Sequence, residues 1–210
     1  AREAVRQRYK NGADLIKIIA TSSKLNGLEK RNHTHFRIDE IESIVETASD
    51  YGMHVAALAR GNKGIKRVIK SGVHSVEHGT GMDDEAISLM LEENTYYIPA
   101  LSTEKVIGKN SPDINKTFKR ALKAGVKIAF GTNSGFSKHG NNSKEFAYMV
   151  NGGMDPMQAI QSATIISAEL LNIENMLGSV EINKKADLIA VEGNPLENIS
   201  VLENVIFVMK

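Results

Sequence analysis

Short, nearly all-apolar runs alternate along this chain with longer segments in which apolar residues return every three or four positions. Asp14-Leu15-Ile16-Lys17-Ile18-Ile19-Ala20, bounded by Gly12 and by Thr21-Ser22-Ser23, reads as a strand. Ile38, Ile41, Ile44, Val45 and Ala48 then recur at helical spacing, with acidic residues between them and Tyr51-Gly52 as the stop. His54-Val55-Ala56-Ala57-Leu58-Ala59 is the next strand, followed by a helix near 63–70 that Ser71-Gly72 closes. Residues 73–77 form a third strand and 83–93 a third helix, whose acidic start suits the helix dipole. Tyr96-Tyr97-Ile98-Pro99-Ala100-Leu101 is a fourth strand, expected to end or bulge at Pro99.

Beyond a polar stretch at 103–113, a helix is expected at 114–124 and a fifth strand at Lys127-Ile128-Ala129-Phe130-Gly131. A loop rich in Gly, Asn and Ser spans 134–143, then helices are expected at 144–151 and 154–171, the latter with Pro156 in its first turn. The tail differs. Ala186-Asp187-Leu188-Ile189-Ala190-Val191 and Val205-Ile206-Phe207-Val208-Met209 read as strands on either side of a Gly193-Asn194-Pro195 turn. Five βα units with near-continuous apolar strands predict an α/β chain with a parallel sheet covered by helices. A complete (β/α)8 barrel takes about 250 residues, so five units predict a partial TIM-type barrel over 1–175 and a small C-terminal β appendage over 176–210.

Net charge is +1, from 26 basic and 25 acidic residues, which offers no case for nucleic acid or an anionic membrane as partner. There is no cysteine, so disulfides and thiolate chemistry are excluded. No apolar run nears the roughly 18 residues of a membrane span. Without cysteine or signal peptide, a cytoplasmic setting is expected. The opening Ala1-Arg2-Glu3-Ala4-Val5 reads as mid-helix, as in a processed chain or a piece of a longer one.

Candidate chemistry gathers in two places. Ser75-Val76-Glu77-His78-Gly79-Thr80 and Gly131-Thr132-Asn133-Ser134-Gly135 each carry an apolar strand into a polar, glycine-flanked turn. Barrel enzymes present their site residues at such C-terminal strand ends. Together with Gly12 to Ala20, Gly52 to Ile65, Ala159 to Leu171 and the tail from Leu177 to Val191, these segments resemble the C-terminal part of amidohydrolase-superfamily enzymes. The similarity is to the Xaa-Pro dipeptidase (prolidase-like) and imidazolonepropionase-like group and runs through nearly the whole chain.

That resemblance implies a hydrolase of amide, peptide or ester bonds acting on small-molecule or peptide-like substrates. It also implies a set of metal positions: an HxH pair on the first strand, which this chain does not contain, a carboxylated Lys, two His and an Asp. Lys17 falls at the Lys position and His78 at the second of those His positions. Leu58 stands where the other His is expected, Arg60 replaces its neighbouring His, and Asn133 replaces the Asp. Leu58 has no donor atom, Asn133 cannot serve as a base near neutrality, and Arg60 brings a fixed positive charge. Two-metal chemistry is therefore not expected. A centre with one divalent metal such as zinc on Lys17 and His78, or with none, is expected in its place, with His78, Asn133 and Lys17 as catalytic candidates.

Arg60, Ser134 and His139 are the substrate-contact candidates. Lys17 is either a reactive amine or the ion-pair partner of Glu77. His33-Thr34-His35 copies the HxH spacing but lies in a polar loop, so a solvated position is expected. His54 and His74 precede their strands and belong to the opposite end. A metal-free Ser/His esterase using Ser134, Ser22 or Ser23 is an alternative, although no Gly-x-Ser-x-Gly elbow occurs. Another is a catalytically inactive domain kept for assembly or binding, since unpaired parallel strands favour a homo-oligomer.

Overall fold

The computed structural model describes residues 1–22, 33–107, 112–135 and 138–210. The elements begin with α1 (Arg2–Lys10), β1 (Leu15–Ile19), α2 (Ile38–Ser49), β2 (His54–Ala59), α3 (Asn62–Lys70) and β3 (Ser75–His78). They continue with α4 (Asp84–Glu92), β4 (Tyr96–Ile98), α5 (Leu101–Ile107), α6 (Pro112–Ala124) and α7 (Lys144–Asn151). Last come α8 (Pro156–Ala163), α9 (Ile165–Leu170), β5 (Leu188–Val191), a 3-10 turn (Ile199–Glu203) and β6 (Val205–Met209). The chain divides into two compact units, residues 1–98 with 116–127, and residues 99–115 with 128–210. No helix among the described residues is long and apolar enough to cross a membrane.

In the first unit, β1 to β4 pair in parallel in chain order, each joined to the next through a helix. The register sets Lys17 beside Ala56, Leu58 beside Glu77 and Val76 beside Tyr97. Parallel strands covered by helices read as apolar runs because both faces need burial. Val55, Ala57, Ala59, Val76 and Tyr97 accordingly have no exposed surface. Helix α2 buries Ile41, Ile44 and Ala48, three positions of its predicted stripe. Its start is tied by Arg37 N–H, which donates to Glu40 Oε2 at 2.8 Å. The Asp83 side chain caps α4, accepting from Ala86 N–H at 2.9 Å.

The second unit departs from the sequence reading in three ways. Residues 127–131 form no named strand. Lys127 O accepts Tyr97 N–H at 2.9 Å, but the next donor along β4 would be Pro99, which has no N–H. Residues 101–107, expected as part of a strand and then a polar stretch, form α5. The helix expected at 154–171 is broken at Thr164, whose φ of −120° and ψ of −95° separate α8 from α9. Thr164 Oγ1 donates to Ile160 O at 2.9 Å and Ser167 Oγ to Ser162 O at 2.6 Å, side-chain bonds that compete with the helix ladder. The tail matches expectation: β5 and β6 pair antiparallel as an isolated two-stranded sheet. Every residue of β6 is exposed, Ile206 at 67% and Val208 at 70%.

His54 and His74 lie at the starting ends of β2 and β3, as expected. Their rings stack with centroids 3.9 Å apart. Val55 N–H donates to His74 Nδ1 at 3.1 Å, a bond that only an unprotonated Nδ1 can accept. Burial, and then the neighbouring His54, push His74 down to about pKa 4 from an ordinary 6.5. Between pH 6.5 and 4 the unfolded chain takes up a proton at this site and the folded chain does not, so stability falls as pH falls through that window. With His74 only part-buried, we expect a loss on the order of 1–2 kcal/mol between pH 7.5 and 4.5. Urea midpoints at the two pH values measure it, and His74→Asn, which keeps an acceptor for Val55 N–H, should flatten that part of the profile.

Candidate active site

The end of β3 is the best-defined part of the site. His78 is fully buried. Both His78 and Gly79 have left-handed backbones, with φ of 67° and 60°. A strand residue would continue the alternation set by Val76 and Glu77; the left-handed turn interrupts it at His78. Gly79 N–H donates to Glu77 O at 2.9 Å and to Ala59 O at 3.2 Å, and Gly61 N–H donates to Thr80 O at 2.8 Å. The turn is therefore laced to the end of β2. Tyr97 Oη donates to His78 O at 2.9 Å.

Lys17 Nζ stands 2.6 Å from Glu77 Oε2. Since Lys17 registers with Ala56 and Glu77 with Leu58, the pair reaches across β2 on one face of the sheet. The Lys17 side chain is 45% exposed and that of Glu77 14%. Of the two expectations for Lys17, the structure takes the ion pair. Leu58, on the same face as Glu77, presents hydrocarbon there.

Arg60 follows β2 and is buried. Its N–H donates to Thr21 Oγ1 at 3.0 Å and its Nη1 to Thr80 Oγ1 at 3.3 Å. It therefore ties together the ends of β1, β2 and β3. Just beyond, Lys66 Nζ lies 2.9 Å from Asp83 Oδ2 and also binds Glu85. Glu85 and then Asp83 hold the Lys66 ammonium above its usual range.

His33 and His35 are exposed, as the polar loop implied. The loop is nevertheless tied to the end of β1: His35 N–H donates to Ala20 O at 2.9 Å and His35 Nδ1 to Ile19 O at 3.0 Å. Ser22 Oγ is 3.4 Å from His35 Nε2. Ser23 lies outside the described residues.

Asn133, Ser134 and His139 belong to the second unit. Asn133 has a left-handed backbone, φ 48°. Thr103 Oγ1 donates to Thr132 O and lies 3.4 Å from Asn133 O. Asn142 Nδ2 donates to Thr132 Oγ1 and to Ser134 Oγ, both at 2.9 Å. Ser134 Oγ is also 3.1 Å from Thr132 Oγ1. Among the described residues its hydrogen-bond partners are thus an amide and a hydroxyl. His139 is exposed.

Two positions carried no signal in the sequence. Ala100, after Pro99, has a left-handed φ of 48° and is 2% exposed. Glu145 is fully buried, and its two carboxylate oxygens accept Leu101 N–H and Ser102 N–H, each at 2.7 Å. It caps α5 from 44 residues away in sequence, and α5 in turn carries Thr103 to the Thr132-Asn133 backbone. Strained backbone of this kind collects at functional sites, where surrounding structure over-determines it.

Among the described residues no group of three or more His, Asp or Glu side chains could hold a metal ion. Leu58 offers no donor, and the Lys17 amine is engaged by Glu77. These side chains do not fit a two-metal centre.

The amidohydrolase family profile matches residues 1–210, and the chain belongs to that family. The crystal structure of a Xaa-Pro dipeptidase with bound methionine superposes on all of this chain with a TM-score of 0.95 and 51% identity, over 56% of its own length. Ochratoxinase of Aspergillus niger is 31% identical over 220 residues, which cover 96% of this chain and 45% of the relative. Imidazolonepropionase of Treponema denticola is 29% identical over 160 residues, 73% of this chain and 38% of that one. The chain thus spans about half the length of the first two relatives.

Truncating Glu145 to Ala should leave two buried N–H groups without their carboxylate. We expect a loss of roughly 2–4 kcal/mol in urea unfolding, with Glu145→Gln, which keeps one acceptor oxygen, losing less.

Proposed function

We propose that the chain belongs to a hydrolase of amide or peptide bonds in small, peptide-like molecules, with esters as further substrates, and with a centre altered from the two-metal pattern. The observation that carries this reading is 51% identity to a Xaa-Pro dipeptidase over the full chain. The altered centre is supported by Leu58, by the Lys17–Glu77 pair and by Asn133. It works either with one divalent metal, such as zinc, on the Lys17 and His78 side, or with none.

In this reading His78 transfers the proton, because imidazole is the side chain suited to gain and lose one near neutrality. Lys17, paired with Glu77, sets the local charge. Arg60 offers guanidinium donors to a substrate oxygen. The Asn133 amide can donate a hydrogen bond to a polarised carbonyl oxygen but cannot take up a proton. Ser134 and His139 are substrate contacts.

The test is hydrolysis of an Xaa-Pro dipeptide and of a short-chain p-nitrophenyl ester, with and without chelator. We expect turnover that His78→Ala reduces by at least about 100-fold. Loss on chelation assigns one metal, whereas persistence assigns the metal-free route. If Ser134→Ala matches His78→Ala, the Ser/His route operates. No turnover of either substrate by the wild-type chain defeats the hydrolase reading for this chain.

A second reading, an inactive domain retained for assembly, is favoured by one observation. Val205, Ile206, Phe207, Val208 and Met209 are each at least 43% exposed, and Ile19 is 52% exposed. Apolar strands left open in this way are sites of association. Under this reading the chain sediments as a homo-oligomer, Ile206→Lys shifts it towards monomer, and His78→Ala leaves its assembly unchanged.

A further inference from the structure

We infer that Tyr97 is a positioning residue for His78, its hydroxyl holding the left-handed His78–Gly79 turn from which the imidazole is presented. The inference rests on the hydrolase reading only for its catalytic consequence; its geometry stands apart.

The ladder places Tyr97 on β4 beside Val76, two residues before His78 on the neighbouring strand. Tyr97 is among the largest fully buried side chains. A buried phenol needs a partner for its O–H, and Phe would fill the same space without that need. The hydroxyl finds the His78 carbonyl at 2.9 Å. That carbonyl belongs to the peptide linking two successive left-handed residues, of which His78 is the one whose Cβ makes the conformation unfavourable. Fixing this peptide plane keeps the His78 backbone from relaxing to an extended strand, which would swing its Cα–Cβ bond. On the Gly79 side the turn is held through backbone, Gly79 N–H donating to Glu77 O and Ala59 O.

Gly79 supplies the second half of the device. A Cβ at this position would lie 2.7 Å from Tyr97 Cε2. The ring therefore rests directly against the turn, which leaves no room for a side chain there and admits glycine, the residue at ease with positive φ. The phenol both buttresses the turn with its ring and bonds it through its oxygen. Nothing in the local sequence around His78 reveals this, because Tyr97 arrives through strand pairing.

The test uses the full chain with 15N-labelled histidine, the His78 ring signals being identified by their loss in His78→Gln. In Tyr97→Phe, which keeps the ring and the packing, we expect the His78 ring nitrogens to shift, with a melting point lower by about 2–4 °C. Gly79→Ala should move the same signals. Ser71→Ala, which removes a buried hydroxyl bonded to Arg67 O at 3.0 Å in the same unit, should cost similar stability and leave them in place. Where the chain hydrolyses its substrate, Tyr97→Phe should lower kcat by about tenfold or more and change KM by no more than about twofold.

His78 signals unchanged in Tyr97→Phe, or shifted equally in Ser71→Ala, overturn the inference. A wild-type chain without turnover defeats the hydrolase reading, while the ring signals still decide the role of Tyr97.

Discussion

Parallel pairing of β1 to β4 is the constraint from which the first unit is built. Strands that run the same way place all their C-terminal ends along one edge, and that edge receives the residues following each strand. Thr21, Arg60 and the His78–Gly79 turn meet there for this reason. Their mutual bonds, Arg60 N–H to Thr21 Oγ1 and Gly79 N–H to Ala59 O, extend the ladder past its regular rungs. The same geometry brings Lys17 and Glu77, from strands separated by β2, into an ion pair.

Strain and its relief organise the positions just beyond the strands. His78, Ala100 and Asn133 all take left-handed backbones without being glycine. Near each of these turns a buried side chain supplies a compensating bond: Tyr97 to the His78 carbonyl, Glu145 to the N–H groups that follow Ala100, and Thr103 to the Thr132-Asn133 backbone. A single such bond contributes about 1 kcal/mol, comparable to the cost of one left-handed residue. The turns persist because bond and close packing act together.

Much of this was legible beforehand, and the reason is periodicity. The expected bounds of β2, α7 and β6 agree with the structure, and β1, β3 and β4 differ from expectation by one to three residues at an end. The Pro99 stop followed from its missing N–H. The helix α5 was not legible, since its cap is the Glu145 carboxylate, 44 residues away. The break at Thr164 depends on side-chain bonds of Thr164 and Ser167 that a continuous helical pattern does not reveal. The fifth apolar run read as a strand by composition, yet its neighbour stops at a proline.

For the site, it is the family resemblance that makes His78, Lys17 and Asn133 candidates. That Leu58 has no donor atom and Arg60 a fixed charge is legible in any window of sequence, because each is a property of the residue itself. Whether Lys17 stands alone or pairs with Glu77 was left open until strand register set them on one face. The bond from Tyr97 to His78, like the cap of Glu145 on α5, exists only in three dimensions. Periodicity along a chain reports which faces are buried, whereas a contact between distant residues is fixed by register and packing, which no local window contains.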